Sequence, residues 1–352
     1  MEQQDEYGAP GAPSAPDVAS APGGRVLAAL AERRRTGSRP GGRTDGRRIA
    51  LAVEGGGMRG IISGGMALAL HEAGLTGAFD AVYGASAGAL TGAWLLSSDP
   101  GQLAGWADAE YARAMVRPAN VLRGRPVVDL HHLVEHLYAH VARMDFDAIL
   151  ANPTTLHPIA THTGTGAATD LHPLLTDPAR LRLALRASAA LPLLAGPPVA
   201  LDGSHYYDAG LAESVPFRTA LAQGATHVLV LRSRAPLAAP AAGAAAGAAA
   251  GAAAGAAAGP SRGSRMVART VLRRYPAPLR DSYLGRAERL LADEELLGRH
   301  DLAPAADGPA VLSVRPGSDA PKVGRLARDP ALLRAALESG RAAMDGLLAR
   351  LP

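Results

Sequence analysis

The chain contains no cysteine. Disulfide bonds, catalysis by a thiolate and zinc sites with cysteine ligands are therefore excluded, and nothing argues for an oxidising compartment. Aromatic residues make up only 4% of the sequence, which disfavours modules that bind nucleic acid by stacking bases on aromatic rings. We therefore expect no nucleic-acid partner.

Long apolar runs are also missing. The first thirty residues carry Glu2, Asp5 and Glu6 among many prolines and glycines, so they do not predict a signal peptide. The AAAG repeat between Pro240 and Gly259 is a poor candidate for a membrane span. A glycine at every fourth position costs about 1 kcal/mol each in a helix, so the repeat predicts a linker. The expected location is the cytoplasm.

The net charge of +4 is modest, but arginine is concentrated in two segments. Residues 25–48 hold eight arginines and two acidic residues. Residues 262–280 hold six arginines and no acidic residue. A solvated basic tail or linker is the simpler interpretation. Peripheral contact with anionic lipid headgroups is the alternative that these segments leave open.

The pattern along the chain predicts four parts. Residues 1–48 are expected to form a disordered, basic N-terminal segment, 49–234 a catalytic domain of the α/β class, 235–260 a linker and 261–352 a mainly helical extension. The predicted strands are Ile49–Val53, Ala81–Tyr83, Leu156–Thr161, Val228–Leu231 and Val311–Val314. Helices are predicted near Ser282–Leu297 and Pro330–Leu351.

A glycine-rich segment, EGGGMRG, joins the first predicted strand to a helix predicted from Ile61. Successive glycines allow positive φ and the close approach of a ligand, while a helix N-terminus directs free N–H groups at negative charge. Gly55, Gly57 and Gly60 also fit the dinucleotide pattern G-x-G-x-x-G, which is a weak signal by itself. The loop therefore predicts a site either for a bound pyrophosphate or for charge that develops in a reaction.

A second motif, VYGASAG, places Ser86 in G-x-S-x-G between a strand and a helix. This order is typical of a nucleophile elbow, in which small residues at Gly84 and Gly88 allow a strained turn that exposes the serine hydroxyl. The glycine loop is then interpreted as an oxyanion hole for an acyl-transfer reaction. Dinucleotide binding is disfavoured, because Asp80 precedes the second strand and no acid follows it to hold a ribose.

A third motif, YYDAGLAESVPF, contains Asp208 followed by Ala209 and Gly210. The three motifs in this order, with Ala187–Pro192 ahead of the third, resemble the patatin-like phospholipase family over roughly residues 49–234. The resemblance implies a three-layer α/β/α sandwich, here with a helical C-terminal extension. It also implies a lipid acyl hydrolase that acts on lipid or other acyl esters without a metal or other cofactor.

The family uses a serine–aspartate dyad without histidine. Carried over by motif position, the resemblance implies that Ser86 is the nucleophile and Asp208 the base. Arg59, followed by Gly60, would brace the glycine loop or meet a substrate phosphate. The implied oxyanion-hole residues are Gly55, Gly56 and Gly57.

Two departures concern the third motif. The family usually has glycine directly after the catalytic aspartate, whereas this chain has Ala209, which resists positive φ. The turn there is therefore expected to be altered. Asp202 stands before Gly203 and is a second candidate base, but an Asp-Gly pair is also typical of a turn between strands, and we favour Asp208.

Two other functions remain open from the sequence. An α/β-hydrolase with a Ser–Asp–His triad shares G-x-S-x-G, and His227 or His300 could supply its histidine, although that fold places several strands before its elbow. A catalytically silent, membrane-associated scaffold is the non-enzymatic alternative. The intact serine, glycine loop and aspartate favour the enzyme.

A histidine-rich segment follows Asp129. His132, Glu135 and His136 match H-x-x-E-H, an inverted zinc-peptidase signature, and His140 extends the stripe. Leucines and valines at helical spacing, from Leu130 to Val141, favour an amphipathic helix whose polar side is rich in histidine. We therefore predict no metal site here.

Overall fold

The computed structural model describes residues 23–236, 259–302 and 308–352. Residues 1–22 and 237–258 lie outside the described residues, so the disorder of the first segment and the linker character of the AAAG repeat stay predictions. No helix in the described ranges is long and apolar enough to cross a bilayer.

Helices and strands alternate through the first two thirds of the chain. In chain order they are α1 (Gly24–Thr36), β1 (Ile49–Val53), α2 (Ile61–Glu72), β2 (Ala81–Ala85), α3 (Ala87–Leu96), α4 (Ala109–Met115), a π-helix (His132–Val141), α5 (Phe146–Ala151), β3 (Thr155–His162), β4 (Ala168–Asp170), α6 (Pro178–Ala189), β5 (Val199–Leu201), β6 (Ser204–Asp208), α7 (Phe217–Ala222), β7 (His227–Leu231), α8 (Arg262–Thr270), α9 (Ala277–Leu284), α10 (Arg286–Leu302), β8 (Ala310–Val314) and α11 (Pro330–Leu348). Every strand expected from the sequence is present, with small differences at its ends.

One mixed sheet collects the strands of the described residues in the order β5-β6-β3-β2-β1-β7-β8, with β4 also paired to β3. The strands from β3 to β8 in that order are parallel, whereas β4 and β6 run antiparallel to β3. Val53 pairs with Gly84 in the β1–β2 register. Because the carboxyl ends of parallel strands share one edge, the loops that follow β1 and β2 meet there.

The sheet is covered by helices on both faces. Ile49, Leu51 and Val53 of β1 contribute to one apolar core with α1, α2, α3 and α11. Ala50 and Ala52, which alternate with them, contribute to a second core with α7 and α10. Successive side chains of a strand point to opposite faces, so a strand buried on both sides produces the three-layer α/β/α sandwich.

The C-terminal part belongs to this sandwich and is not a separate helical unit. β8 extends the sheet by pairing with β7 from His227–Ala310 to Leu231–Val314. α11 packs on α2 so closely that a Cβ at Gly340 would lie 1.9 Å from the carbonyl oxygen of Ile62. The boundary predicted near residue 260 therefore does not separate two structural units.

Residues 24–48 differ from the predicted disordered, basic segment. α1 packs on the sheet with Val26 and Leu30 buried, and Arg33 is only 2% exposed. The guanidinium of Arg33 binds Asp45 at 2.7 Å and Asp80 at 2.8 Å. A count of charges along the sequence does not reveal these ion pairs, which neutralise part of the basic segment within the fold.

The histidine-rich helix also departs from its predicted spacing. Its backbone is π-helical, with hydrogen bonds from residue i+5 to residue i, such as Ala142 N–H to Leu137 O at 2.7 Å. Tyr138, five residues after Leu133, is fully buried with it, whereas Val141 is 64% exposed. A face drawn at α-helical spacing therefore assigns Val141 to the wrong side.

Candidate active site

Ser86 occupies a strained turn between β2 and α3, with φ 55° and ψ −122°. Such a conformation is unfavourable for a residue with a side chain and persists only where its surroundings enforce it. A Cβ at Gly84 would lie 2.4 Å from the Cα of Ala89, and one at Gly88 would lie 2.2 Å from the carbonyl oxygen of Val53. Glycine at both positions therefore lets α3 pack directly on the ends of the two strands.

Asp208, the last residue of β6, faces this serine. The Ser86 Oγ donates a hydrogen bond to Asp208 Oδ2 at 2.7 Å, although 122 residues separate the two in sequence. The other carboxylate oxygen accepts the Gly210 N–H at 2.7 Å. Thr161 Oγ1 donates to the Asp208 carbonyl at 2.8 Å, which fixes the backbone that carries the carboxylate.

The surroundings of Asp208 favour a basic carboxylate. Asp208 is 5% exposed. Burial raises the pKa of Asp208 above its ordinary value, and the hydrogen bonds from Ser86 and Gly210, which lower the pKa, do not outweigh burial. Burial disfavours the charged form of an acid. An Asp208 carboxylate in this position therefore holds a proton more strongly than a solvated one.

Ser188 connects the two facing residues to the segment Ala187–Pro192. Its hydroxyl accepts the Ser86 N–H at 2.9 Å and donates to the carbonyl of Ile159 at 2.5 Å. In the same segment the carbonyl of Ala190 accepts the Asp208 N–H at 3.1 Å. One short stretch of chain thus holds the backbones of both Ser86 and Asp208.

The glycine loop lies beside the turn at Ser86. The Gly55 N–H donates to the carbonyl of Ser214 at 3.1 Å, so this amide is already occupied. The Gly56 and Gly57 N–H groups have no hydrogen-bond partner within the described part of the chain, and Gly57 adopts φ 59°. The donors left in the predicted oxyanion loop are therefore those of Gly56 and Gly57.

Arg59 braces this loop through Ser233. Its Nε donates to Ser233 Oγ at 3.2 Å, and that hydroxyl in turn donates to the carbonyl of Gly55 at 3.2 Å. Gly60 begins the next turn, where a Cβ would lie 2.7 Å from that of Ala87. The loop and the helix after Ser86 are thus in direct contact.

Glu54 is a supporting residue that the sequence did not single out. It is fully buried and binds Arg232 at 3.0 Å, while also accepting the Ser233 N–H at 2.8 Å. Burial alone raises the pKa of Glu54, but the charges of Arg232 and Arg234 outweigh it, and the pKa lies below its ordinary value. An ionised Glu54 therefore ties the start of the glycine loop to the strand β7 that runs beside it.

The two departures in the third motif have different outcomes. Ala209 is not among the residues with positive φ, so the expected conflict between alanine and the turn does not arise there. Asp202 lies in the tight β5–β6 turn with φ 52° and binds Arg180 at 3.2 Å. It does not line the cavity that contains Ser86.

A cavity opens over Ser86 and Asp208. The glycine loop and Gly210 form one side. Most other lining side chains are apolar, and the largest include Leu90, Trp106, Met115, Leu130, Leu191 and Leu194. An apolar wall beside a nucleophile is suited to an acyl chain.

No histidine lines this cavity. His227 begins β7, where it pairs with Ile49 at the opposite end of the strands from Ser86. The four residue steps from Ile49 to the end of β1 at Val53 span about 13 Å, which separates His227 from the edge of the sheet where Ser86 lies. Burial lowers the pKa of His227 to about 4, and its ring is engaged by Thr226 at 2.9 Å. His300 lies in α10 and also stays outside the cavity.

The glutamate of the zinc-peptidase alternative is engaged in ion pairs. Glu135 binds Arg182 at 2.8 Å and Arg186 at 3.1 Å. The rings of His132 and His136 stack at 4.9 Å. Within residues 23–236, 259–302 and 308–352, no group of three or more His, Asp or Glu side chains could hold a metal ion.

Comparison with known proteins finds one family and one relative that resemble this chain. Residues 51–221 match the model of the family described as patatin-like phospholipase. The chain is also 30% identical over 200 residues to the uncharacterized protein YjjU of Escherichia coli strain K12, an alignment that covers 53% of this chain and 52% of the relative. The chain therefore spans about half the length of that relative.

Proposed function

We propose, from the premise that this chain belongs through residues 51–221 to the patatin-like phospholipase family, whose members are lipid acyl hydrolases, that it is a serine ester hydrolase of lipid acyl groups. The hydrogen bond between Ser86 Oγ and Asp208 Oδ2, 2.7 Å long, carries the proposal. It joins a strained, accessible hydroxyl to a buried carboxylate whose proton affinity is raised.

In this reaction Asp208 takes the proton of the Ser86 hydroxyl as Oγ attacks the ester carbonyl carbon. The tetrahedral intermediate collapses, and the proton passes from Asp208 to the oxygen of the leaving alcohol. Asp208 then takes a proton from water as the water oxygen attacks the acyl-enzyme. The second tetrahedral intermediate collapses, the bond to Ser86 Oγ breaks, and Asp208 returns the proton to Oγ as the fatty acid leaves. A carboxylate is a weak base for an alcohol, so the raised pKa of Asp208 favours its role.

The oxyanion is stabilised by the N–H groups of Gly56 and Gly57. Both are free in the described structure, whereas Gly55 shapes the loop through its bond to Ser214. Loss of one such donor typically costs about 3 kcal/mol of transition-state stabilisation. Arg59 acts here by holding the carbonyl side of the loop through Ser233.

The acyl chain enters the apolar side of the cavity. A second cavity shares Val128, Leu130 and Ala195 with the first, so the apolar wall continues away from Ser86. Each methylene group of a bound lipid that is removed from water stabilises the complex by about 0.8 kcal/mol. The substrate class that fits is therefore an ester with a long acyl chain.

Peripheral membrane contact is proposed through the second arginine segment. In the first segment Arg33 and Arg43 bind Asp80 within the fold. In α8, by contrast, Arg262, Arg265 and Arg269 are exposed beside Met266, which is 61% exposed. A basic helix with exposed apolar side chains is suited to an anionic lipid surface.

A fluorophosphonate probe tests the enzyme directly. We expect the wild-type protein to be labelled and Ser86→Ala not to be, with hydrolysis of a p-nitrophenyl ester lost in parallel. Asp208→Ala should lose hydrolysis, and Asp202→Ala serves as the matched control that keeps it. A folded wild type that is not labelled would favour the scaffold, and an active Asp208→Ala would remove Asp208 as the base.

A further inference from the structure

Four arginines line the same cavity as Ser86. They are Arg59, Arg234, Arg286 and Arg325. The last three lie beyond residue 221, where the family match ends. Arg286 begins α10 and Arg325 lies between β8 and α11, so the C-terminal part of the fold brings charge to a site that the matched segment builds.

The C-terminal part is fixed against the site by specific bonds. The carbonyl of Arg325 accepts the Met58 N–H at 3.0 Å, which joins its loop to the glycine loop. Arg289 of α10 donates to the carbonyl of Ala212 at 3.2 Å, just after the Asp208 turn. The guanidinium of Arg286 stacks on Tyr283 at 3.8 Å from the ring centroid and donates to Ser264 Oγ at 2.9 Å. The side chain of Arg286 and the backbone of Arg325 are therefore held in place beside the cavity.

These cations exceed the acids available to them. Arg234 lies 3.2 Å from Glu54, which also neutralises Arg232. Arg59, Arg286 and Arg325 form no ion pair with a carboxylate anywhere in residues 23–236, 259–302 and 308–352. Asp208 is the one acidic residue among the described residues that line the cavity, and it binds Ser86.

Their proximity carries an electrostatic cost. Burial, followed by the charge of Arg234, lowers the pKa of Arg59 to about 10, with Arg325 adding to the effect. Burial and the charge of Arg325 likewise lower the pKa of Arg286. Arg59 Nη2 is a buried nitrogen without a hydrogen-bond partner among the described residues. A buried donor left unpaired is costly, and a bound anion would relieve both costs at once.

On the basis of the proposed function, we propose that this cavity selects acyl esters whose phosphate headgroup is anionic overall. Arg286 and Arg325, from the C-terminal part of the chain, bind that headgroup. Guanidinium groups bind phosphate oxygens in bidentate geometry. A zwitterionic headgroup would place its ammonium among arginines with no free carboxylate to meet it. The apolar wall of the same cavity holds the acyl chain while the phosphate faces the arginines.

The test compares lipids that differ only in headgroup. Phosphatidic acid, phosphatidylglycerol and phosphatidylcholine with identical acyl chains are presented in mixed micelles of a neutral detergent, and fatty-acid release is measured. We expect kcat/KM for both anionic lipids to exceed that for phosphatidylcholine by at least about tenfold, because a hydrogen bond to a charged group contributes about 1.5–3 kcal/mol. Equal rates for the three lipids would overturn the proposal.

Arg286→Gln and Arg325→Gln identify the binding residues. Each should lower the anionic-to-zwitterionic ratio about tenfold, since each removes one charged contact. Arg299→Gln is the matched control on α10, because Arg299 is exposed and pairs with Glu295 at 3.2 Å; its ratio should not change. If both cavity variants kept the wild-type ratio, or if Arg299→Gln changed it as much, the assignment would be wrong. Thermal unfolding establishes that each variant is folded.

A neutral soluble ester separates this inference from the proposed function. Wild type that hydrolyses p-nitrophenyl butyrate but does not discriminate among the lipids keeps the function and loses the inference. Wild type that neither hydrolyses this ester nor reacts with a fluorophosphonate loses both. Calorimetry on Ser86→Ala distinguishes the source of the phosphate: dihexanoyl phosphatidic acid should bind at least about tenfold more tightly than inorganic phosphate, because only the lipid also buries acyl carbons. Equal affinity would indicate a free-anion site instead.

Discussion

A half-buried aspartate, Asp170, and a buried one, Asp208, pair with consecutive residues of β3, and their surroundings differ. Asp170 in β4 pairs with Ile159, and Asp208 in β6 pairs with Ala160. Asp170 accepts bonds from His157 Nδ1 at 2.7 Å, from Gln223 Nε2 at 2.9 Å and from the His172 N–H at 2.9 Å. From the described residues the Asp208 carboxylate accepts only the Ser86 hydroxyl and the Gly210 N–H.

The difference in partners reverses the effect of burial. Burial alone raises the pKa of Asp170, but its hydrogen bonds, led by that from His157, outweigh burial and bring the pKa below its ordinary value. For Asp208 burial dominates, and the pKa is raised. A buried carboxylate with a full set of donors is stabilised as an anion and serves the fold, whereas one with few donors is ready to take a proton.

The largest expected effect is on catalysis. Asp208→Asn should lower kcat for p-nitrophenyl butyrate by about 10³-fold, within the usual range for loss of a general base. Asp170→Asn should keep kcat within a few-fold of wild type, because Asp170 does not line the cavity and its carboxylate binds His157. Steady-state kinetics of both variants decide the point. A comparable loss of kcat in both would show that the two aspartates do not differ in function.

The same two variants should change stability in opposite directions at pH 7. Asp170→Asn should lower the free energy of unfolding by about 2 kcal/mol, because it weakens a charged, buried network. Asp208→Asn should raise the free energy of unfolding, because a carboxylate with a raised folded pKa destabilises the fold above that pKa. Urea unfolding followed by circular dichroism measures both. The comparison would be lost if both variants shifted the midpoint the same way.

The pH dependence should separate the two carboxylates further. Activity requires ionised Asp208, so kcat/KM should fall about tenfold per pH unit below its raised pKa. The stability that Asp170 contributes is present above its unfolded pKa, near 3.8, and is lost as the pH falls through its lower folded pKa. Activity should thus disappear at a higher pH than folding. A pH–rate profile beside acid-unfolding curves checks this order, and coincident midpoints would contradict it.

The smallest expected effect concerns histidine. His227→Ala and His300→Ala should each keep kcat within about twofold of wild type, because neither side chain lines the cavity and general-base removal would cost at least about 10²-fold. Kinetics at pH 7 on folded protein measure it. Loss of turnover in His227→Ala would restore the serine–aspartate–histidine alternative.

The parts of the site that the sequence could predict are those with local signatures. The turn at Ser86 needs small residues within two positions on either side, and these are visible in the motif as Gly84 and Gly88. Asp208 was assigned through the family resemblance, and the geometry now places it at hydrogen-bond distance from Ser86. The strands were predictable because β1 and β7 are short apolar runs between turns.

The remaining parts depend on contacts between distant segments. Arg325 reaches the cavity because β8 joins the sheet and returns the chain toward Met58; no local pattern around Arg325 predicts this. The engagement of the Gly55 amide depends on the carbonyl of Ser214, which is equally distant in sequence. For α1 a local signal did exist, since Val26, Leu27 and Leu30 share one helical face, but the count of arginines obscured it.

The position of β7 and β8 has a practical consequence for anyone who wishes to express only part of this protein. A fragment limited to residues 51–221 would lack both strands and would leave the backbone of β1, now central and fully buried, as an open edge. An exposed, flat, apolar edge strand promotes aggregation. Insolubility of such a fragment would therefore reflect the missing neighbours of β1, and it would say nothing about the chemistry of Ser86.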